Sequence, residues 1–115
     1  MQTVVFDFDG VIHSYTSGWQ GVDVCNDPPV GGIRLAIEQI KSLHYRVVVV
    51  STRCSDPTGK KAVEDYLFKH GIRVDEVVAH KPPAIVYIDD RAICFDGKPE
   101  TLLEKIQTFK PWNKQ

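Results

Sequence analysis

Two aspartates one residue apart, Asp7 and Asp9, close the apolar run Val4-Val5-Phe6-Asp7-Phe8-Asp9-Gly10-Val11. In an extended strand the side chains at i and i+2 face the same way, so both carboxylates converge where the chain gives out at Gly10. Like charges held that close need a cation, a shared proton or an electrophile beside them. Three more apolar runs end in residues of matching chemistry: Ser51, Thr52 and Arg53 follow 46–50, Lys81 follows 74–79, and Asp89 with Asp90 end 84–90. Each of these alone has an ordinary structural role, such as capping the next helix or pairing a surface charge. Together they repel unless a hard divalent ion sits among them, and an all-oxygen donor set with no Cys or His pair nearby suits Mg²⁺. A carboxylate beside such an ion can attack phosphorus and form an acyl phosphate, which water then hydrolyses. A second carboxyl can protonate the leaving oxygen and later deprotonate water, while a hydroxyl and an ammonium balance charge on the phosphoryl oxygens.

The elements that must position these groups alternate along the chain. A strand over 3–9 leads into a segment over 10–32, rich in Gly, Pro, Ser and Asp, which reads as a loop or short β-hairpin. Ile33, Ile37, Ile40 and Leu43 recur at helical spacing, and Arg46-Val47-Val48-Val49-Val50-Ser51 has the composition of a buried central strand. Asp56-Pro57 reads as an N-cap with proline in the first turn, and the stripe Val63, Tyr66, Leu67 and His70 stops at Gly71. Short strands are expected over 74–79 and 84–89, then a helix after Pro99 with Leu102, Leu103, Ile106 and Phe109 inward, then a loosely held tail over 110–115. Serial βα units of this kind predict an α/β, three-layer Rossmann-like domain whose mainly parallel sheet is covered on both faces. Right-handed crossovers would bring every strand's C-terminal end to one edge, where open α/β sheets bind their ligands.

At 115 residues the chain is read as one domain, 1–115, with no internal repeat and with its pocket built from loops. A hydrophobic fraction of 43% and a charged fraction of 25% are those of a soluble globular protein. No apolar run approaches the roughly 20 residues of a membrane span, and nothing resembles a signal peptide. A formal net charge of -1 and a pI near 6.4 give no global pull toward nucleic acid or an anionic membrane, which favours a small substrate. Cys25, Cys54 and Cys94 are odd in number and lack zinc spacing, so a reducing cytoplasm is the natural compartment and space-filling their natural role.

In its ordered motifs the sequence resembles the haloacid dehalogenase superfamily of phosphohydrolases, across Val4 to Asp90. Asp7-Phe8-Asp9-Gly10-Val11 is similar to the first motif, which implies Asp7 as nucleophile and Asp9 as general acid/base. The run ending at Ser51 is similar to the second motif, with Thr52 a lesser rival for the phosphate-binding hydroxyl. Lys81 fits the third, and Val86-Tyr87-Ile88-Asp89-Asp90 fits the acidic fourth. The resemblance implies Mg²⁺ held by Asp7, the main-chain carbonyl of Asp9, and Asp89 or Asp90, direct ligation being assigned to Asp89. An acid at position 9 implies a phosphatase, since the dehalogenases lack one there and the P-type ATPases carry Thr. Caps in the family follow the first or third motif; the 10–32 segment is too short for a folded one, so a capless, open site is expected.

An open site admits a bulky phosphorylated substrate or is covered by a second subunit, which makes a homodimer an expectation. Arg53 and Arg91 each directly follow a motif, and a guanidinium fork matches phosphate geometry. The pair is similar to the phosphatase domain of polynucleotide kinase/phosphatases, which implies a nucleic-acid 3′-phosphate as one substrate class beside nucleotides and other phosphorylated small molecules. His13 and Trp19, with Tyr15, lie in the loop after the nucleophile and are expected on the substrate by position. A phospholigand-binding module without catalysis is the rival of another class; its usual sign, a lost nucleophile or acid, is absent. A receiver-type signalling domain uses similar groups in the reverse order.

Overall fold

The strands that form are β1 (Thr3–Asp7), β2 (Arg46–Val50), β3 (Glu76–Val78) and β4 (Val86–Ile88). The helices are α1 (Ile33–Ser42), α2 (Pro57–Lys69) and α3 (Leu102–Thr108). In the computed structural model, which describes residues 1–114, the strands make one all-parallel sheet in the order β3-β2-β1-β4, flanked by helices. The α/β, Rossmann-like architecture read from the sequence is the one observed, with no cap evident among the described residues. β1 stops at Asp7, before Phe8 and Asp9, and β3 and β4 are shorter at both ends than the runs over 74–79 and 84–89.

Alternation along β1 and β2 divides the core. Val4, Phe6, Val47 and Val49 face one side, where Ile37 of α1 and Val63, Tyr66 and Leu67 of α2 complete the larger buried cluster. Val5, Val48 and Val50 face the other, packed by Val78 and Ala84. Asp56 caps α2 as its position predicts: its Oδ1 accepts from the Thr58 amide at 2.8 Å, and Pro57 occupies the first turn.

Two expectations for the C-terminal third are corrected. Leu103 and Ile106 of α3 do not point inward; they are 67% and 62% exposed, and no described residue after Val77 is buried. A helical apolar stripe identifies a face but does not supply the neighbour that covers it. The tail is held rather than loose: Trp112, in a 3₁₀ turn over Trp112–Lys114, donates its indole N–H to the carbonyl of Gly10 at 2.7 Å. Gln115 lies outside the described residues.

The 10–32 segment forms no hairpin of regular strands. It is organised around the Phe8 carbonyl, which accepts from the amides of Val11, Ile12 and His13, and by single bridges of His13 to Asp9 and to Pro29. Among the described residues no helix is long and apolar enough to cross a membrane.

Candidate active site

Strand register brings the acidic groups together. Phe6 pairs with Ile88 and Asp7 with Val50, so Asp89 emerges beside Asp7 on one side and Ser51 on the other. Asp7, Asp89 and Asp90 each offer a carboxylate oxygen, and these atoms lie within 4.8 Å of one another. Burial pushes the Asp7 carboxyl up, and the charge of Asp89 with a hydrogen bond and charge from Asp90 push it further, to about 7. Asp90 is raised as well, first by burial. Three oxygen donors that disfavour one another's ionisation, with no nitrogen or sulfur donor in the group, fit a hard divalent cation such as Mg²⁺. Gly10 is required next to them: its φ is 86°, and a Cβ there would fall 2.1 Å from Asp90 Oδ2.

Asp9 lies outside this cluster and meets the Arg53 guanidinium and the His13 imidazole instead. Its Oδ2 accepts from Arg53 Nε at 2.8 Å, and its Oδ1 accepts from Arg53 Nη2 at 3.3 Å and from His13 Nδ1 at 2.8 Å. Burial alone would raise this carboxyl, but the hydrogen bonds from His13 and Arg53 outweigh it and hold Asp9 below the usual carboxylate range. Arg53 is 1% exposed, and its Nη1 donates to the carbonyls of Gly21 and Val22 at 2.8 and 2.9 Å. The Trp19 ring lies over the guanidinium at 4.6 Å. Gly59 of α2 permits this packing, since a Cβ there would sit 2.0 Å from the Arg53 carbonyl oxygen.

Asp7 and Asp9 line an open depression of about 340 Å³ together with Ser51, Thr52, Trp19 and Arg91. Ser51 is buried, and its Oγ accepts the Arg53 amide at 3.2 Å; Thr52 is exposed on the same rim. Lys81 stands at the edge of the acidic group, with Nζ 3.5 Å from Asp89 Oδ2 and 5.5 Å from the Tyr87 ring centroid. The Arg91 side chain is exposed, and its amide donates to Asp89 Oδ1 at 3.0 Å. A larger depression, about 710 Å³, lies around the start of β3 against Lys41, Phe68, Arg73 and Asp75; none of the residues with site chemistry lines it. The smaller one is therefore the candidate site on chemical grounds.

Arg53 and His13 differ from their expected placement on the substrate. Arg53 is engaged by Asp9 and main-chain carbonyls, and His13, at 1% exposure, has both ring nitrogens bonded inside the protein. Both act on the depression through Asp9 rather than facing its opening. Trp19, at 58% exposure, does face it. Cys25 and Cys54 pack against the main core with thiols that burial pushes up, as space-filling residues do; Cys94 is exposed. The sequence marked Tyr66 only as a core residue of the α2 stripe and Asp27 not at all, yet both anchor His13 from elsewhere in the chain. Only the spacing of Asp9 and His13 hinted at the contact, and outside a helix that spacing carries no geometric rule.

No protein-family model matches the sequence, and no curated protein matches it. Among solved structures, a chain in the structure of the Pnkp1/Rnl/Hen1 complex has the same fold, with a TM-score of 0.57 and 21% identity over 92% of this chain. A chain in the structure of the Pnkp1/Rnl/Hen1 RNA repair complex superposes with a TM-score of 0.56 and 20% identity over 93%. The chain spans about a third of the length of each, 35% and 33%.

Proposed function

We propose that the protein is a Mg²⁺-dependent phosphomonoester hydrolase that works through an aspartyl-phosphate on Asp7. The observation that carries this reading is the separation of two neighbouring carboxyls into different surroundings on one depression: Asp7 among acids, Asp9 between Arg53 and His13. Resemblance of the ordered motifs to haloacid dehalogenase phosphohydrolases supports the same assignment. Asp7, Asp89 and Asp90 would hold the ion, with the carbonyl of Asp9; when bound, it neutralises the acidic group and draws charge from the phosphoryl oxygens.

A carboxylate oxygen of Asp7 attacks phosphorus while the bond to the leaving oxygen breaks. Asp9 gives its proton to that oxygen. The incoming phosphate places negative charge beside Asp9 and raises its proton affinity, which favours the acid form this step needs. In the second half Asp9 takes a proton from water, the water oxygen attacks phosphorus, and the bond to Asp7 breaks to release inorganic phosphate. Ser51, with Thr52 on the same rim, donates to the phosphoryl oxygens, and Lys81 supplies positive charge at the acidic edge.

Release of phosphate from an aryl phosphate with Mg²⁺, its loss in EDTA, and no turnover by Asp7→Asn are the expected results. Binding of phosphate esters without release would instead establish a phospholigand-binding module. A second substrate reading, a polynucleotide 3′-phosphatase, is favoured by the exposed Trp19 ring and the Arg91 side chain at the depression. The fold shared with chains of the Pnkp1/Rnl/Hen1 complexes favours it too. A phosphomonoester panel that includes nucleotides and a 3′-phosphorylated oligonucleotide decides between this and a small-molecule substrate.

A further inference from the structure

His13 is buried to 1% exposure yet hydrogen-bonds at both ring nitrogens. Nε2 lies 3.1 Å from the amide nitrogen of Asp27. A backbone amide only donates, so Nε2 is the acceptor and the ring proton is on Nδ1. Nδ1 then donates to Asp9 Oδ1 at 2.8 Å. The Asp27 amide thus orients the ring, although Asp27 Oδ2 also lies 3.7 Å from Nε2, beyond hydrogen-bond distance.

The anchor is itself fixed. The carboxylate of Asp27 accepts from the amide and hydroxyl of Ser17 at 2.8 and 2.6 Å, and its carbonyl accepts from the Tyr66 hydroxyl of α2 at 2.8 Å. Phe8 stacks on the His13 ring at 5.5 Å, while Tyr66 and Tyr15 meet it edge-on at 5.2 and 5.9 Å. With three rings around it and both nitrogens bonded, the imidazole has a single orientation.

Arg53 grips both oxygens of Asp9 and is itself held by the carbonyls of Gly21 and Val22. Its Nη2 reaches Oδ1 at only 3.3 Å, so the 2.8 Å bond from His13, on a separate loop, is the shorter hold on that oxygen. We propose that His13, aligned by the Asp27 amide, is a positioning residue that fixes the Asp9 carboxyl in the orientation needed to protonate the leaving-group oxygen. This rests on the hydrolase reading above and goes beyond it by assigning the loop over 13–27 a part in the acid half of the reaction. Placement of an acid within a fraction of an ångström is what separates a group that is present from one that is effective.

The test uses two polar replacements. His13→Asn keeps a donor close to the Nδ1 position, whereas His13→Gln carries its amide at the Nε2 position and loses the bond to Asp9. For each, kcat/KM is measured with Mg²⁺ on an alkyl phosphate, whose leaving group needs a proton, and on a dinitrophenyl phosphate, whose leaving group does not. His13→Gln should lose about 100-fold on the alkyl ester, the lower end of what acid catalysis contributes, and less than about 5-fold on the activated one. His13→Asn should keep the ratio of the two substrates within about 3-fold of the wild type. Equal losses on both esters, or the same ratio in both variants, would show a purely structural histidine and overturn the proposal. A wild-type protein that turns over neither ester would instead overturn the hydrolase reading and this proposal with it.

Discussion

Asp7→Asn should make the metal-free protein more stable at neutral pH while abolishing turnover. Asp7 moves from an ordinary value of 3.8 to about 7 on folding because it is buried beside Asp89 and Asp90. A folded state with the higher proton affinity keeps its full stability below pH 3.8 and loses it as pH rises through about 7. At about 1.4 kcal/mol per tenfold change in proton affinity, complete ionisation costs the fold about 4 kcal/mol. Asp7 is only partly buried, so solvent screening discounts this figure by about half, and removing its charge should recover on the order of 2 kcal/mol. For a domain of this size that is a rise of about 8 °C in melting temperature.

The assay is thermal unfolding in EDTA from pH 5 to pH 8, repeated with excess Mg²⁺. The wild type should lose stability across this range in EDTA and regain it with the ion, because a ligand of the native state adds stability by mass action. Asp7→Asn should show a shallower fall in EDTA and a much smaller response to Mg²⁺. A wild type whose melting temperature is flat from pH 5 to pH 8, or an Asp7→Asn protein that responds to Mg²⁺ as strongly as the wild type, would refute the acidic cluster as an ion site.

Arg53→Met should leave Asp9 with one donor in place of three hydrogen bonds and destabilise the protein by about 3 kcal/mol, read by urea unfolding, because the partner charge stays partly buried. Gly10→Ala places a methyl where Asp90 Oδ2 lies and strains a backbone at a φ of 86°; titration should show weakened Mg²⁺ binding, and unfolding a loss of more than about 1 kcal/mol. Trp112→Phe keeps the ring but removes the donor to Gly10, so unfolding should show a loss of about 1 kcal/mol, and proteolysis should cut the C-terminal segment sooner.

The parts of the fold legible in the sequence were those where one local pattern admits one structure. Val47 to Val50 could only be a strand buried on both faces, and Asp56-Pro57 could only open a helix. The candidate site was legible to the extent that it sits on strand ends: once the strands are parallel, Asp7, Ser51 and Asp89 share an edge whatever the loops do. Residues in the 10–32 loop could be placed near that edge but not oriented. Whether His13 faces outward or inward is decided by the Asp27 amide and the rings of Phe8 and Tyr66, contacts that join distant positions and leave no periodic mark. The same limit applies to α3, whose stripe of Leu103 and Ile106 is real but uncovered among the described residues.

The pair that opens the chain shows how neighbouring residues of one type come to differ in chemistry. Asp7 belongs to the last residue of β1 and is met by acids because the register of β4 delivers Asp89 and Asp90 there. Asp9 is past the strand end, where the chain has already begun the turn at Gly10, and so looks toward β2's C-terminal turn and the returning loop, which carry Arg53 and His13. The first environment raises proton affinity and the second lowers it. Exchanging either aspartate for asparagine therefore removes a charge of opposite consequence: at position 7 it relieves repulsion, and at position 9 it strands a buried guanidinium. Asp9→Asn should accordingly be the less stable of the two variants in EDTA at pH 7.5, although both lose a single carboxylate from the same depression. Equal melting temperatures would mean that the two carboxyls are not held apart in this way, and the division of labour proposed for them would lose its physical basis.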